Sequence, residues 1–224
     1  MRTTAKRVEE LNTFASEIWP VCVLSLGVSS CAVIISCLLG IPLGVWLGLG
    51  KVPGKLFLKS LVFAGMAMPP VAVGLLLYLL LSRSGPLGNW QWLFTAQAMV
   101  LAQVVLDLPF VVGITMTAVE ALPGELRFQL HSLGATGWQV RWTLLTESRN
   151  GLLLAVATAF GRSLSEVGAV LMVGGNIDGH TRVMTTAILL ETNRGRFAVA
   201  LTLAMILLSL AVFINLLIVR LQER

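Results

Sequence analysis

The chain has 224 residues, 56% of them hydrophobic and only 12% charged, with a mean hydropathy of +0.87. A soluble domain needs more polar surface than this to cover a core, so the composition excludes one and points to the bilayer. Sixteen Lys and Arg against eleven Asp and Glu leave a net charge of +5. They sit in short clusters that suit anchoring to lipid headgroups, and no nucleic-acid partner is expected.

In chain order, Val8, Leu11, Phe14 and Ile18 recur at helical spacing while Lys6, Arg7, Glu9 and Glu10 fall elsewhere on the wheel. This predicts an amphipathic N-terminal segment over residues 1–17, lying on the membrane, ahead of a transmembrane domain over residues 18–224. About 20 apolar residues cross the hydrocarbon as a helix. Residues 18–50, 60–82 and 197–219 are uncharged runs of that length. Two further spans are expected at about residues 92–119, containing Asp107, and 151–173, containing Arg162 and Glu166. The fold class is therefore an all-α integral membrane protein with about five transmembrane helices, and an odd count puts the termini on opposite sides. The first run lacks a short h-region and a small-residue cleavage site, so it is read as retained.

Cys22, Cys31 and Cys37 all fall in that first run without ligand spacing, which predicts neither a disulfide framework nor a zinc site. Pro69-Pro70 should kink the second span. Residues 50–55 and 82–90 carry the Gly and Pro of short turns. Orientation is not legible from charge. Alternate connectors collect Lys51, Lys55, Lys59, Arg127, Arg141, Arg149, Arg220 and Arg224 on one side, and Arg2, Lys6, Arg7, Arg83, Arg182, Arg194 and Arg196 on the other.

Residues 124–150 interrupt the apolar pattern with Glu125, Arg127, His131, Arg141, Glu147 and Arg149, charges that hydrocarbon would not accept. Their spacing is still helical: Leu126, Leu130 and Leu133 repeat at four and three, Gly134 breaks the run, and Trp138, Val140, Trp142, Leu144 and Leu145 resume it. Two short helices joined at a glycine serve either as an amphipathic hairpin resting on lipid or as a set of apolar knobs offered to something outside the membrane.

Charges inside a membrane are expensive and default to function. Arg162 and Glu166, four apart, share a face of one helix near mid-membrane. They read either as a buried ion pair that fixes helix packing or as part of an anion path, with Ser163 and Ser165 offering hydroxyls. Asp107, close to Pro109, suits gating or backbone capping better than anion binding. The stretch "GGNIDGHTRVMTT", with Asn176, Thr181 and Arg182, supplies free amides and hydroxyls for an anion vestibule, or else forms an ordinary loop that meets a partner. His180 reads as a surface residue, no His, Cys or carboxylate cluster has metal-ligand spacing, and no cofactor is expected. The phosphate-binding pattern fails in "GLGKVPGKLF", where Leu49 and Leu56 stand in place of the required glycine and hydroxyl.

"SLGATGWQVRWTLL" followed by "ESRNGLLLAV" resembles the cytoplasmic loop of permease subunits of ATP-binding-cassette (ABC) importers, with Gly134 as the family glycine. The chain departs from that pattern at Phe128, Gln129 and Leu130, which replace the family's Glu-Ala-Ala, and at Glu147, where many members have proline. "EVGAVLMVGGNI", "TRVMTTAI" and "LET" resemble the oxyanion branch, most of all tungstate permeases. "LGIPLGVWLGL", "MPPVAVGLLLYLLLSRSGPLG" and "LAQVVLDLPFVV" extend the likeness past about residue 18.

The resemblance implies a type I importer permease for tungstate or molybdate in the plasma or inner membrane, with its N-terminus outside and its C-terminus cytoplasmic. It implies a homodimer served by separate ATP-binding subunits, which hydrolyse the ATP, and by an extracytoplasmic oxyanion-binding protein. Leu130, Leu133, Gly134, Ala135 and Thr136 would couple to the ATPase, and Arg162, Ser163, Ser165, Glu166, Asn176, Thr181 and Arg182 would line the substrate path. Two rival readings are weaker. An intramembrane enzyme built on Asp107, Arg162 and Glu166 lacks a nucleophile or acid-base pair in reach, and a passive channel has no use for the hairpin.

Overall fold

The computed structural model describes the backbone of residues 2–50 and 52–222 and the side chains from Ile18 onward. The amphipathic face expected of residues 1–17 thus lies outside the described side chains. The described residues form ten α-helices and no strand: α1 (Arg2–Leu49), α2 (Lys55–Met66), α3 (Pro70–Leu81), α4 (Ala96–Glu120), α5 (Gly124–Ser132), α6 (Gly137–Glu147), α7 (Arg149–Ser165), α8 (Gly168–Gly174), α9 (Met184–Asn193) and α10 (Phe197–Gln222), with one 3-10 turn at Gly88–Trp90.

Three helices are long and apolar enough to cross a membrane unbroken: α1 from Ile18, α4 and α10. The other two expected spans fall on bent helix pairs that together are long and apolar enough for a crossing, α2 and α3 meeting at 96° and α7 and α8 at 57°. At the first break the sequence predicts a kink, and the chain makes nearly a right angle. Pro69 is extended (φ −65°, ψ 123°) and Pro70 opens α3. Two successive prolines remove two helix donors and push the preceding residue out of the helical region, so α2 stops and a new helix starts.

The second break corrects the expectation of one continuous helix over residues 151–173. Glu166 leaves the helical region (φ −70°, ψ 128°), and its Oε1 accepts a hydrogen bond from the Ala169 N–H at 3.1 Å, satisfying a donor in the first turn of α8. The two outer half-helices then pack on each other at backbone distance. A Cβ on Gly74 would lie 2.7 Å from Ala169 Cα, and one on Gly168 would lie 2.7 Å from Val71 Cγ2.

Lipid tails are as apolar as leucine, so helix association in a membrane relies on close fit between small residues. Gly40, Gly44 and Gly48 provide this on α1, four residues apart and on one face. A Cβ on Gly44 would fall 2.7 Å from both Thr115 Cβ and the Val112 carbonyl oxygen of α4, and one on Gly40 would fall 2.8 Å from Val111 Cγ1. The main core joins α3, α4 and α8 through Leu77, Leu81, Met99, Leu106, Val170 and Val173. By contrast α10 buries only Ala200 and Leu203 and exposes Leu201, Met205, Leu208, Val212 and Phe213. That is a face for lipid or another membrane helix.

The part of α1 from Ile18 to Leu49 spans about 48 Å at ~1.5 Å per residue and separates two polar ends. At one end Lys55 and Lys59 both bridge Glu120, at 3.0 and 2.7 Å, and Gln222 Nε2 donates to the Asn150 carbonyl at 3.2 Å. The α5–α6 hairpin leaves from this end. At the other end Arg182 pairs with Asp178 at 2.9 Å, and Arg194 and Arg196 both reach Glu191.

Candidate functional site

The hairpin is written locally. Gly134 has φ 78°, the left-handed region open to glycine at no steric cost. The Ala135 N–H donates to Leu130 O and the Gly134 N–H to His131 O, both at 3.0 Å, which satisfies the last carbonyls of α5 in a Schellman stop. Two residues later Thr136 caps α6. Its N–H donates to Gln139 Oε1 at 2.8 Å, and its Oγ1 accepts from the Gln139 N–H at 3.4 Å. This capping box was legible as Thr-x-x-Gln in the sequence and is absent from the reading above.

Leu130, Leu133, Gly134, Ala135 and Thr136 are therefore together at one tight turn. Val140 and Leu144 are buried and anchor α6 to the bundle, whereas Leu133 at the tip is 84% exposed and Phe128, mid-way along α5, 75%. Trp138 and Trp142 stack at 6.4 Å on the outer face of α6.

The intramembrane charges are arranged otherwise than the spacing predicts. Arg162 does not pair with Glu166. Its Nε lies 3.9 Å from Oδ1 of Asp107, which is 1% exposed in the middle of α4, and its guanidinium covers the Phe110 ring at 4.6 Å from the centroid. The reason is the break: Glu166 has left the helix, so the shared face no longer exists, and its carboxylate is occupied by the Ala169 amide.

Asp107 is thus the partner that Arg162 meets, and its carboxylate caps no backbone amide among the described residues. Gln103, one turn before it, donates from Nε2 to the Ser163 carbonyl at 2.9 Å. Around this contact Gln103 Oε1, Asp107 Oδ2 and Ser163 Oγ are buried with no protein hydrogen-bond partner among the described residues. Such atoms cost about 1–3 kcal/mol each when unpaired, so this is a place where a polar solute or water is favoured. Gln103, a neutral residue in an apolar run, is the member that charge counting passes over.

Ser165 is exposed beside this cluster, with its hydroxyl donated back to the Arg162 carbonyl at 3.0 Å. The Gly175–Asn176 pair ends α8 with φ 73° and 52°. Asn176 Nδ2 reaches Thr186 O at 3.5 Å. Thr181 does not face an open vestibule: it is 1% exposed, its Oγ1 donating to Gly174 O at 2.6 Å and accepting from the Ile177 N–H at 2.9 Å, so it staples the turn.

The segment read as a loop ends in the first turn of α9, whose Met184 N–H donates to Ser25 Oγ of α1 at 2.7 Å and whose Thr185 hydroxyl donates to the Glu166 carbonyl at 2.9 Å. The turn is thereby tied to the α7–α8 break. Arg182 does line an open cavity of about 710 Å³, with His180, Arg194, Arg196 and Glu191, against Ile18, Trp19 and Val23 of α1. Here three guanidiniums face two carboxylates, those of Asp178 and Glu191. Among the described residues no group of three His, Cys, Asp or Glu side chains could hold a metal ion.

Residues 40–224 match the family described as binding-protein-dependent transport system inner membrane component. A probable anion ABC transporter permease protein of Haloferax volcanii is 40% identical over 206 residues, covering 90% of this chain and 89% of the relative. The tungstate uptake system permease protein TupB of Peptoclostridium acidaminophilum is 38% identical over 216 residues, covering 96% and 95%. Among solved structures, an inward-facing conformation of the MetNI methionine ABC transporter superposes with a TM-score of 0.72 at 18% identity, over 96% of this chain and 97% of that one. With its broken spans and projecting hairpin the architecture is that of a type I ABC importer permease, and the chain belongs to the binding-protein-dependent transport system inner membrane component family.

Proposed function

We propose that the chain is the membrane-spanning subunit of an ATP-driven importer for tungstate or molybdate, working as a homodimer with cytoplasmic ATP-binding subunits and an extracytoplasmic oxyanion-binding protein. The observation that carries this reading is the hairpin: exposed apolar residues at Phe128 on α5 and Leu133 at the tip, held by the Schellman stop and the capping box, on a bundle of this family. A rigid knob anchored by Val140 and Leu144 passes motion at its tip to α7, the helix that carries Arg162. The hairpin then faces the cytoplasm, which puts the N-terminus outside and the C-terminus inside. The exposed apolar face of α10 supports a neighbour in the membrane, lipid or the second copy.

Tungstate is favoured by the likeness to a tungstate permease over nearly the whole of both chains. The two anions are tetrahedral, of like charge and nearly equal size, and present the same acceptors, so discrimination belongs to the binding protein. At the outer cavity three guanidiniums, of Arg182, Arg194 and Arg196, outnumber the carboxylates of Asp178 and Glu191, and this excess of one positive charge favours anions there. The test is accumulation of tungsten and molybdenum by cells lacking the gene and by cells with it restored, measured by elemental mass spectrometry. Uptake of either metal that depends on the gene supports the reading, and unchanged uptake of both overturns it.

A further inference from the structure

Beside the hairpin lies a groove that neither the ion pair nor the apolar tip uses. It has a volume of about 660 Å³, within the ~300–1,000 Å³ typical of ligand sites. Its floor is apolar, formed by Ile41, Pro42 and Val45 of α1 and Leu145 of α6, and its mouth carries Arg127 and Arg141. Trp46, Trp138 and Trp142 flank it, 51%, 72% and 58% exposed. Among the described residues no carboxylate lines it. The last apolar turns of α1 form one wall and the polar hairpin the other, so the groove opens where hydrocarbon gives way to water. Tryptophan is favoured at that depth, and a basic pocket between helices there suits a lipid headgroup.

We propose that this groove binds an anionic phospholipid, its phosphate held by the guanidiniums of Arg127 and Arg141 and one acyl chain lying over Ile41, Val45 and Leu145 among the indole rings. Charge complementarity selects the occupant. Two cations over an apolar floor, with no acidic group in the lining among the described residues, match a headgroup that carries its negative charge on top of its own hydrocarbon. Arg127 has capacity to spare, because among the described residues only its Nη1 is engaged, donating to the Leu49 carbonyl at 3.0 Å. The lipid would tie the hairpin to the end of α1 through the membrane itself. The proposal does not depend on which solute the protein carries.

The test uses the permease, purified with whatever subunits remain bound, in phosphatidylcholine vesicles containing a minor fraction of brominated phosphatidylglycerol or, in parallel, brominated phosphatidylcholine. Bromine quenches tryptophan on contact, so brominated phosphatidylglycerol should quench more strongly at equal mole fraction. Arg141→Gln, which leaves the Arg127–Leu49 bond in place, should weaken the phosphatidylglycerol preference about fivefold, and Arg127→Gln with Arg141→Gln roughly 25-fold, since each cation contributes a similar factor near an anionic surface. Equal quenching by the two lipids, or an unchanged preference in the double variant with the assembly intact, overturns the proposal. Preferential quenching that appears only after a bound cytoplasmic subunit is stripped off gives the groove to that protein surface and overturns it as well.

Discussion

Arg162 of α7 and Asp107 of α4 meet inside the membrane, Nε to Oδ1 at 3.9 Å, with Asp107 sealed from the exterior and the guanidinium lying over Phe110. Removing one partner of a buried pair strands the other and typically costs about 3–5 kcal/mol, whereas removing both together is often close to neutral. Arg162→Met and Asp107→Leu should each lower the amount of assembled protein, and the double variant should restore it. Arg162→Met combined with Glu166→Gln should not, because Glu166 serves Ala169 instead. Uptake by the rescued double variant then separates scaffold from path: parental uptake makes the pair structural, and assembly without uptake puts Arg162 on the anion path.

At Gly134 the constraint is conformational. An added Cβ meets nothing within 4 Å, yet φ is 78°. A β-branched residue there costs about 1–2 kcal/mol, while asparagine tolerates the same region. Gly134→Val should reduce stimulation of the ATPase by loaded binding protein with the membrane assembly intact, and Gly134→Asn should largely preserve it. Full stimulation in the valine variant would count against the turn as the coupling element.

Gly44 is the opposite case, constrained by space. Its Cβ would lie 2.7 Å from Thr115 Cβ and from the Val112 carbonyl, so α1 and α4 would have to part. Gly44→Leu should cost about 1–3 kcal/mol or more, read as a lower thermal midpoint in detergent. Gly27→Ala, at a position of the same helix with nothing within 4 Å, should leave the midpoint unchanged.

Orientation is tested by labelling on a background with Cys22, Cys31 and Cys37 replaced by alanine. Gly137→Cys, at the start of α6, should react with an impermeant maleimide only after the cytoplasmic face is opened. Asp178→Cys, at the far end of the bundle, should react from outside in intact cells. The reverse pattern would turn the hairpin outward and remove its access to an ATPase.

The membrane class, the three unbroken apolar helices and the stop at Gly134 were legible in the sequence because each rests on neighbours along the chain. The length of an apolar run decides a crossing, and a Schellman stop or capping box is made among residues no more than five apart. What lay beyond the sequence was every relation between helices. Spacing joined Arg162 to Glu166 on the assumption of a continuous helix, but the close fit of α8 on α3 at Gly74 and Gly168 goes with a chain that breaks there, and Asp107 on another helix takes the pair. Thr181 likewise looked available and is consumed by its own turn. A helical wheel records which residues share a face only while the helix lasts; where it ends, and what then fills the vacated face, is decided by packing between segments distant in the chain.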